Sequence, residues 1–324
     1  MGKYKIAATS SIGGLLVFTL LILTLLSGCV KPQEEINDPK LGVLMLAHGG
    51  NQNWNKELLK ALSAARGNFK RQVVFGMADP DVIQQEIVSL QKEGVNKIVV
   101  VPLFLSSHSE LYRQLEYVLG IREEPDILFG LLIEHGKKHS NPMPSEHADH
   151  TEPLMDIVRR VEFSVPHVIA SPINYHPLIA SILEERVASI SNKENISIVL
   201  LAHGPVSETD NKLWLQDLQL YAERMRSKFK NLQVLYHTFR DDAPDFIRNQ
   251  AIDKIRDSIR QEQKAGRGVI VVPYLLASDG REVAIKEFLA DCKCTIIPAA
   301  LLPHKNISLW IEQQVRRGKI KLAE

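Results

Sequence analysis

Two histidines follow short apolar runs and precede a glycine: Leu44-Met45-Leu46-Ala47-His48-Gly49 and Val199-Leu200-Leu201-Ala202-His203-Gly204. A third, His108, stands in Ser106-Ser107-His108-Ser109-Glu110, just after the apolar run from Lys97 to Leu105 (KIVVVPLFL). Imidazole is the side chain best suited to move protons near neutral pH. It also ligates Co²⁺, Fe²⁺, Ni²⁺ and Zn²⁺. The chemistry within reach of these residues is capture of a divalent ion, proton transfer, or both.

Sixty positions separate His48 from His108, so only the fold can join them. Gly42 to Ala47 reads as a strand, and a helix over about 53–66 puts Leu58, Leu59, Leu62 and Ala65 on one face. Gln72-Val73-Val74-Phe75 reads as a second strand. Asp79-Pro80-Asp81 opens a helix carrying Ile83, Ile87 and Leu90, because an acceptor followed by proline starts helices. Lys97 to Leu105 is the third strand, and a helix runs on from about Ser109. Unbroken apolar strands separated by amphipathic helices predict a parallel sheet covered on both faces. In such open sheets, ligands bind beyond the carboxyl ends of the strands, where strand order reverses. A flavodoxin-like order puts that reversal between strands one and three, which end at His48 and His108.

The same pattern returns. Ile198 to Ala202 ends at His203-Gly204, Leu232 to Tyr236 follows, Ala243-Pro244-Asp245 opens a helix, and Gly268 to Leu276 (GVIVVPYLL) mirrors the third strand. His176-Pro177 and His304-Lys305 open the last helix of each half and read as structural. This internal similarity predicts a duplicated α/β fold: two flavodoxin-like lobes, each a parallel sheet flanked by helices, over 41–190 and 191–324. Asp279 stands where His108 would align, six residues after the proline in each half (Pro102, Pro273). The first lobe therefore reads as the active one, with His203 and Asp279 as accessories. An insertion at about 127–165 holds His135, His139, His147 and His150, candidates for metal capture. Arg113 is a candidate for binding substrate carboxylates, with a solvated helix face as the plainer reading. Cys292 and Cys294 read as plain buried thiols.

Composition narrows the function. The chain has 324 residues, 45% apolar and 24% charged, so it can bury a core in each of two domains. Lys+Arg is 39 and Asp+Glu is 38. The net charge of +1 gives no basic surplus for nucleic acid. Three cysteines exclude a disulfide scaffold. The apolar stretch from Ile12 to Leu26 follows Lys3 and Lys5 and is shorter than the roughly 20 residues that span a bilayer. It reads as a secretory signal, 1–28. Leu26-Ser27-Gly28-Cys29 resembles the lipobox of bacterial lipoproteins, which implies lipidation at Cys29 and a linker over 29–40. The expected location is outside the cytoplasm, membrane-anchored on the periplasmic side or at the cell surface.

The Ala-His-Gly strand end, the Val-Pro-Leu-Phe-Leu strand followed by His, and the doubling together resemble the sirohydrochlorin chelatases. These are class II chelatases, which insert cobalt or iron into a tetrapyrrole. The resemblance covers nearly all the chain after the linker. It implies a chelatase-like fold and a tetrapyrrole with a divalent metal as partners. It also implies His48 and His108 as catalytic residues and metal ligands. No cofactor is implied beyond the metal substrate, Co²⁺ or Fe²⁺, with Ni²⁺ and Zn²⁺ as other ions the ligands suit. Members often carry an acid near the end of strand two; Gly76-Met77 occupies that place here, and Glu110 is the candidate replacement. Two alternatives stay open: a chelatase-derived lipoprotein that binds metal or tetrapyrrole without catalysis, and the substrate-binding lipoprotein of a metal importer.

Overall fold

Leu41 to Ala47 lie wholly inside the protein, which fits a strand packed on both faces. The strand β1 (Asn37–Ala47) is longer than its apolar run, so it takes in four residues expected to be linker. Its polar start pairs with Asn68, and the register shifts between Asn37 and Gly42. The computed structural model describes residues 35–76, 78–126, 128, 159–191, 194–278 and 280–324. Ile36–Glu324 forms one compact unit.

Within it, β1 is followed by α1 (Gln52–Ala64), β2 (Asn68–Phe75), α2 (Pro80–Lys92), β3 (Lys97–Leu103), α3 (Glu110–Val118), β4 (His167–Ile169) and α4 (Pro177–Ala188). The second series is β5 (Ile196–Ala202), α5 (Glu208–Lys228), β6 (Gln233–Thr238), α6 (Asp245–Lys264), β7 (Gly268–Tyr274), α7 (Arg281–Phe288), β8 (Cys294–Ile296) and α8 (Lys305–Lys321). The sheets are ordered β2-β1-β3-β4 and β6-β5-β7-β8, and every pairing is parallel. Registers repeat: Leu46 faces Pro102 as Leu201 faces Pro273. Strand order thus reverses between β1 and β3 and between β5 and β7, as the sequence predicts.

Helix starts follow local chemistry. The Asp79 carboxylate accepts from the N–H groups of Asp81 (2.9 Å) and Val82 (3.3 Å), with Pro80 at the first helical position. Ser109 and Ser207 cap α3 and α5 in the same way. His176 and His304 cap α4 and α8: Nδ1 accepts from Leu178 N–H (3.2 Å) and from Asn306 N–H (3.1 Å). An accepting Nδ1 carries no proton, so these two rings are held with hydrogen on Nε2.

The last helix of each series crosses to the other sheet. Helix α4 packs on β7 and α5, while α8 packs on α1, β3 and β4. The approach of α8 to β3 is close: a Cβ at Gly318 would lie 2.6 Å from a Val99 methyl. Polar ties reinforce the exchange. Glu312 accepts from Arg66 N–H at 2.8 Å, and Arg186 donates to the Ala300 carbonyl at 3.1 Å. One apolar cluster therefore runs from Val101 and Leu103 through Trp310 to Leu200 and Tyr221, with a separate core behind each sheet. Among the described residues, no helix is long and apolar enough to cross a membrane.

Candidate functional site

Each central strand ends in a corner that only glycine can turn. Gly49 and Gly204 have φ of +79° and +77°, a region costly for other residues. A Cβ at Gly204 would also lie 2.5 Å from Thr238 of β6. The corner folds the preceding histidine onto its own loop. His48 Nδ1 lies 2.8 Å from the Gly49 carbonyl, and His203 Nδ1 lies 3.0 Å from the Gly204 carbonyl. A carbonyl only accepts, so Nδ1 carries the hydrogen and the neutral ring keeps its lone pair on Nε2. This is the reverse of the capping histidines, and it leaves Nε2 as the nitrogen able to bind a metal.

The β3–α3 loop is held from both lobes. Asn174 accepts from Ser107 N–H (2.6 Å) and donates to the Ser107 hydroxyl (3.0 Å). Ser106 Oγ accepts from His108 N–H at 3.1 Å. From α5 of the second lobe, the Trp214 indole N–H donates to the His108 carbonyl at 2.6 Å. The same indole stands edge-on to His203, with ring centroids 4.8 Å apart. Asp217, one turn further along α5, has a buried Oδ2 without a hydrogen-bond partner. Burial lifts its carboxyl above the ordinary range, and the nearby His108 opposes that.

His48 and His108 stand at adjoining strand ends of one sheet edge, but no hydrogen bond joins their rings among the described residues. His48 acts electrostatically on His203, and His108 on Asp217. The cleft edge of the first lobe faces the second lobe.

In the second lobe, His203, Asp241 and Asp242 bring ligand atoms within 4.8 Å of one another. His203 Nδ1 lies 3.8 Å from Asp241 Oδ1, which is buried and accepts no hydrogen bond. Burial pushes His203 below the usual imidazole range; Arg281 and His48 act in the same direction, against Asp241 and Asp242. Burial thus favours its neutral form. Arg240 fixes the geometry. Its backbone is left-handed (φ +53°), and its N–H donates to the His203 carbonyl at 2.5 Å. Its buried guanidinium donates to the Pro205 carbonyl (3.1 Å), the Val206 carbonyl and Glu208 (2.6 Å).

Other expected residues fall elsewhere. Glu110 is buried, and its carboxylate accepts from Ser207 N–H at 2.9 Å, so it seams the lobes instead of supplying a free acid. Arg113 is half-buried and paired: it binds Asp126 at 2.6 Å and Asp210 at 2.7 Å. Cys292 is buried and Cys294 half-buried, both as free thiols. Asp279, Cys29 and the insertion histidines His135, His139, His147 and His150 lie outside the described residues. Asp241 and Asp242 were not singled out from the sequence. The signal is present in the sequence: they follow the end of β6, the second strand of its series, as Asp79 follows β2.

A doubled parallel fold with imidazoles at the carboxyl edges of its sheets is a chelatase-like fold. Residues 42–190 match the CbiX family model. No curated protein sequence matches the chain. Among solved structures, it is similar to SirB from Bacillus subtilis with Fe³⁺, at 16% identity and a TM-score of 0.54, covering 86% of this chain and 95% of that one. It is also similar to the sirohydrochlorin chelatase SirB from Bacillus subtilis subspecies spizizenii in complex with cobalt. There the identity is 15% and the TM-score 0.51, over 86% and 94% of the two chains. At these identities the likeness is one of fold.

Proposed function

We propose that this protein inserts Co²⁺ or Fe²⁺ into sirohydrochlorin or a closely related tetrapyrrole. The observation that carries the reading is the shared pose of His48 and His203, each with Nδ1 turned to the following glycine carbonyl. That pose leaves Nε2 bare for an ion. The metal is the substrate, and no resident cofactor is invoked. Insertion requires that an ion be delivered and that two pyrrole protons leave. His203, Asp241 and Asp242 would hold the ion; His48 and His108, at the first lobe's edge, would accept protons and pass the ion on. The fold shared with a protein described as a sirohydrochlorin chelatase supports this choice of macrocycle.

The test is absorbance of purified protein with sirohydrochlorin and Co²⁺. Metallation faster than the spontaneous rate is expected, slowed at least about tenfold by His108→Ala. Undiminished activity in both His48→Ala and His108→Ala would remove the first lobe's edge from the mechanism. Binding of metal or macrocycle without faster metallation would make the protein a non-catalytic binder. The absence of a strand-two acid at Gly76 in the first lobe favours that second reading.

We also propose export and lipid anchoring at Cys29, supported by the lipobox-like Leu26-Ser27-Gly28-Cys29. Acyl chains would then hold the protein at the membrane. On expression in a bacterium, the wild type should partition with membranes and incorporate labelled palmitate. Cys29→Ser should lose the label, and retention of it would refute the anchor.

A further inference from the structure

The two carboxylates of the second-lobe cluster already have a cationic partner. Arg281 Nε donates to Asp241 Oδ2 at 2.6 Å, and its Nη2 lies 3.7 Å from Asp242 Oδ2. The contact with Asp241 takes one oxygen and leaves the other, Oδ1, buried, without a hydrogen bond and 3.8 Å from His203 Nδ1. Arg281 is also oddly placed for its charge. It is the first residue of α7, after Gly280 (φ +105°). A cation at a helix N-terminus meets the positive end of the dipole, so the helix itself gives no reason for arginine there. Asp241 and Asp242 supply attraction from outside the helix.

We propose that Arg281 weakens the metal site by competing with the divalent ion for these carboxylates, so that the ion is held for transfer and not stored. This rests on the reading of His203, Asp241 and Asp242 as the metal station. Charge counting gives the direction. Two carboxylates and a neutral imidazole present two negative charges to an incoming ion. Arginine stays protonated at any working pH and cancels one of them at close range. A guanidinium a few ångströms from a bound dication also repels it, in surroundings less polar than water. Removing the guanidinium should therefore tighten binding. A tie that served only to join the β6–α6 loop to α7 would have the opposite effect, since loosening the loops would scatter the ligands.

The experiment is calorimetric titration of the full chain with Co²⁺ alone, followed by stopped-flow release of bound Co²⁺ to a competing chelator. Arg281→Gln and Arg281→Met are each expected to bind Co²⁺ at least tenfold more tightly than wild type and to release it more slowly. Arg281→Lys keeps the charge and should stay near wild type. Equal or weaker binding in the Gln and Met variants overturns the proposal, and so does loss of the fold in both, which would make Arg281 a structural tie. Asp241→Asn in the wild-type background separates the two readings. Undiminished Co²⁺ binding there removes the metal station itself, whatever Arg281 does. Lost binding there with no gain from Arg281→Gln removes only the role of the arginine.

Discussion

Arg113→Met is expected to lower the free energy of unfolding by about 3–5 kcal/mol. The guanidinium on α3 bridges Asp126 of its own lobe (2.6 Å) and Asp210 on α5 of the other (2.7 Å). Burial opposes its charge, yet hydrogen bonds to Asp210 and Asp126 outweigh that and hold its pKa above the ordinary arginine value. Both carboxylates are largely shielded, with 7% and 9% side-chain exposure. Methionine matches the arginine stem in volume but takes the shared guanidinium away from two largely buried carboxylates. Lysine would be a poor substitute, since one ammonium does not reproduce a fork that reaches both acids. Guanidinium denaturation of Arg113→Met measures the loss. Adding Asp210→Asn should restore part of it by removing one stranded charge. A loss below about 1 kcal/mol would mean that the ion triad does not hold the lobes together.

Arg113 also shows where sequence reasoning stops. A charge on an amphipathic helix is ordinarily solvated, and only the arrival of α5 from 97 positions away turns this one inward. The sheets were legible for a simple reason. Fully buried parallel strands such as Leu41–Ala47 must be apolar without interruption, and the caps at Asp79 and Ser109 are local chemistry. The exchange of α4 and α8 was not legible, because an apolar face reveals that a helix is covered but not by which sheet. The same holds at the site. His48, His176, His203 and His304 look alike as letters, two before a helix and two after a strand. Their hydrogen bonds divide them: an accepting Nδ1 in the two caps, a donating Nδ1 in the two strand-end residues. Asp241 and Asp242 read as a solvated loop pair until Arg240 turns left-handed and directs them toward His203.

The second large effect is expected at that cluster. His203→Ala should weaken Co²⁺ binding by at least about a hundredfold, because even an outer-shell partner of a metal ligand is typically worth 10–100-fold. His203 supplies the cluster's single nitrogen, already neutral because burial disfavours its charge. Its loss leaves two carboxylates, one of them bound to Arg281 at 2.6 Å. Folding should survive, since the ring's edge contact with Trp214 is modest next to the indole's hydrogen bond to the His108 carbonyl. The informative comparison is His108→Ala, which removes the imidazole of the residue whose backbone carbonyl accepts from the same tryptophan. If the second lobe captures the ion, His108→Ala should leave Co²⁺ affinity within about threefold of wild type while slowing metallation. If His108→Ala instead abolishes binding and His203→Ala does not, the ion sits in the first lobe. The second lobe's carboxylates would then serve only Arg281.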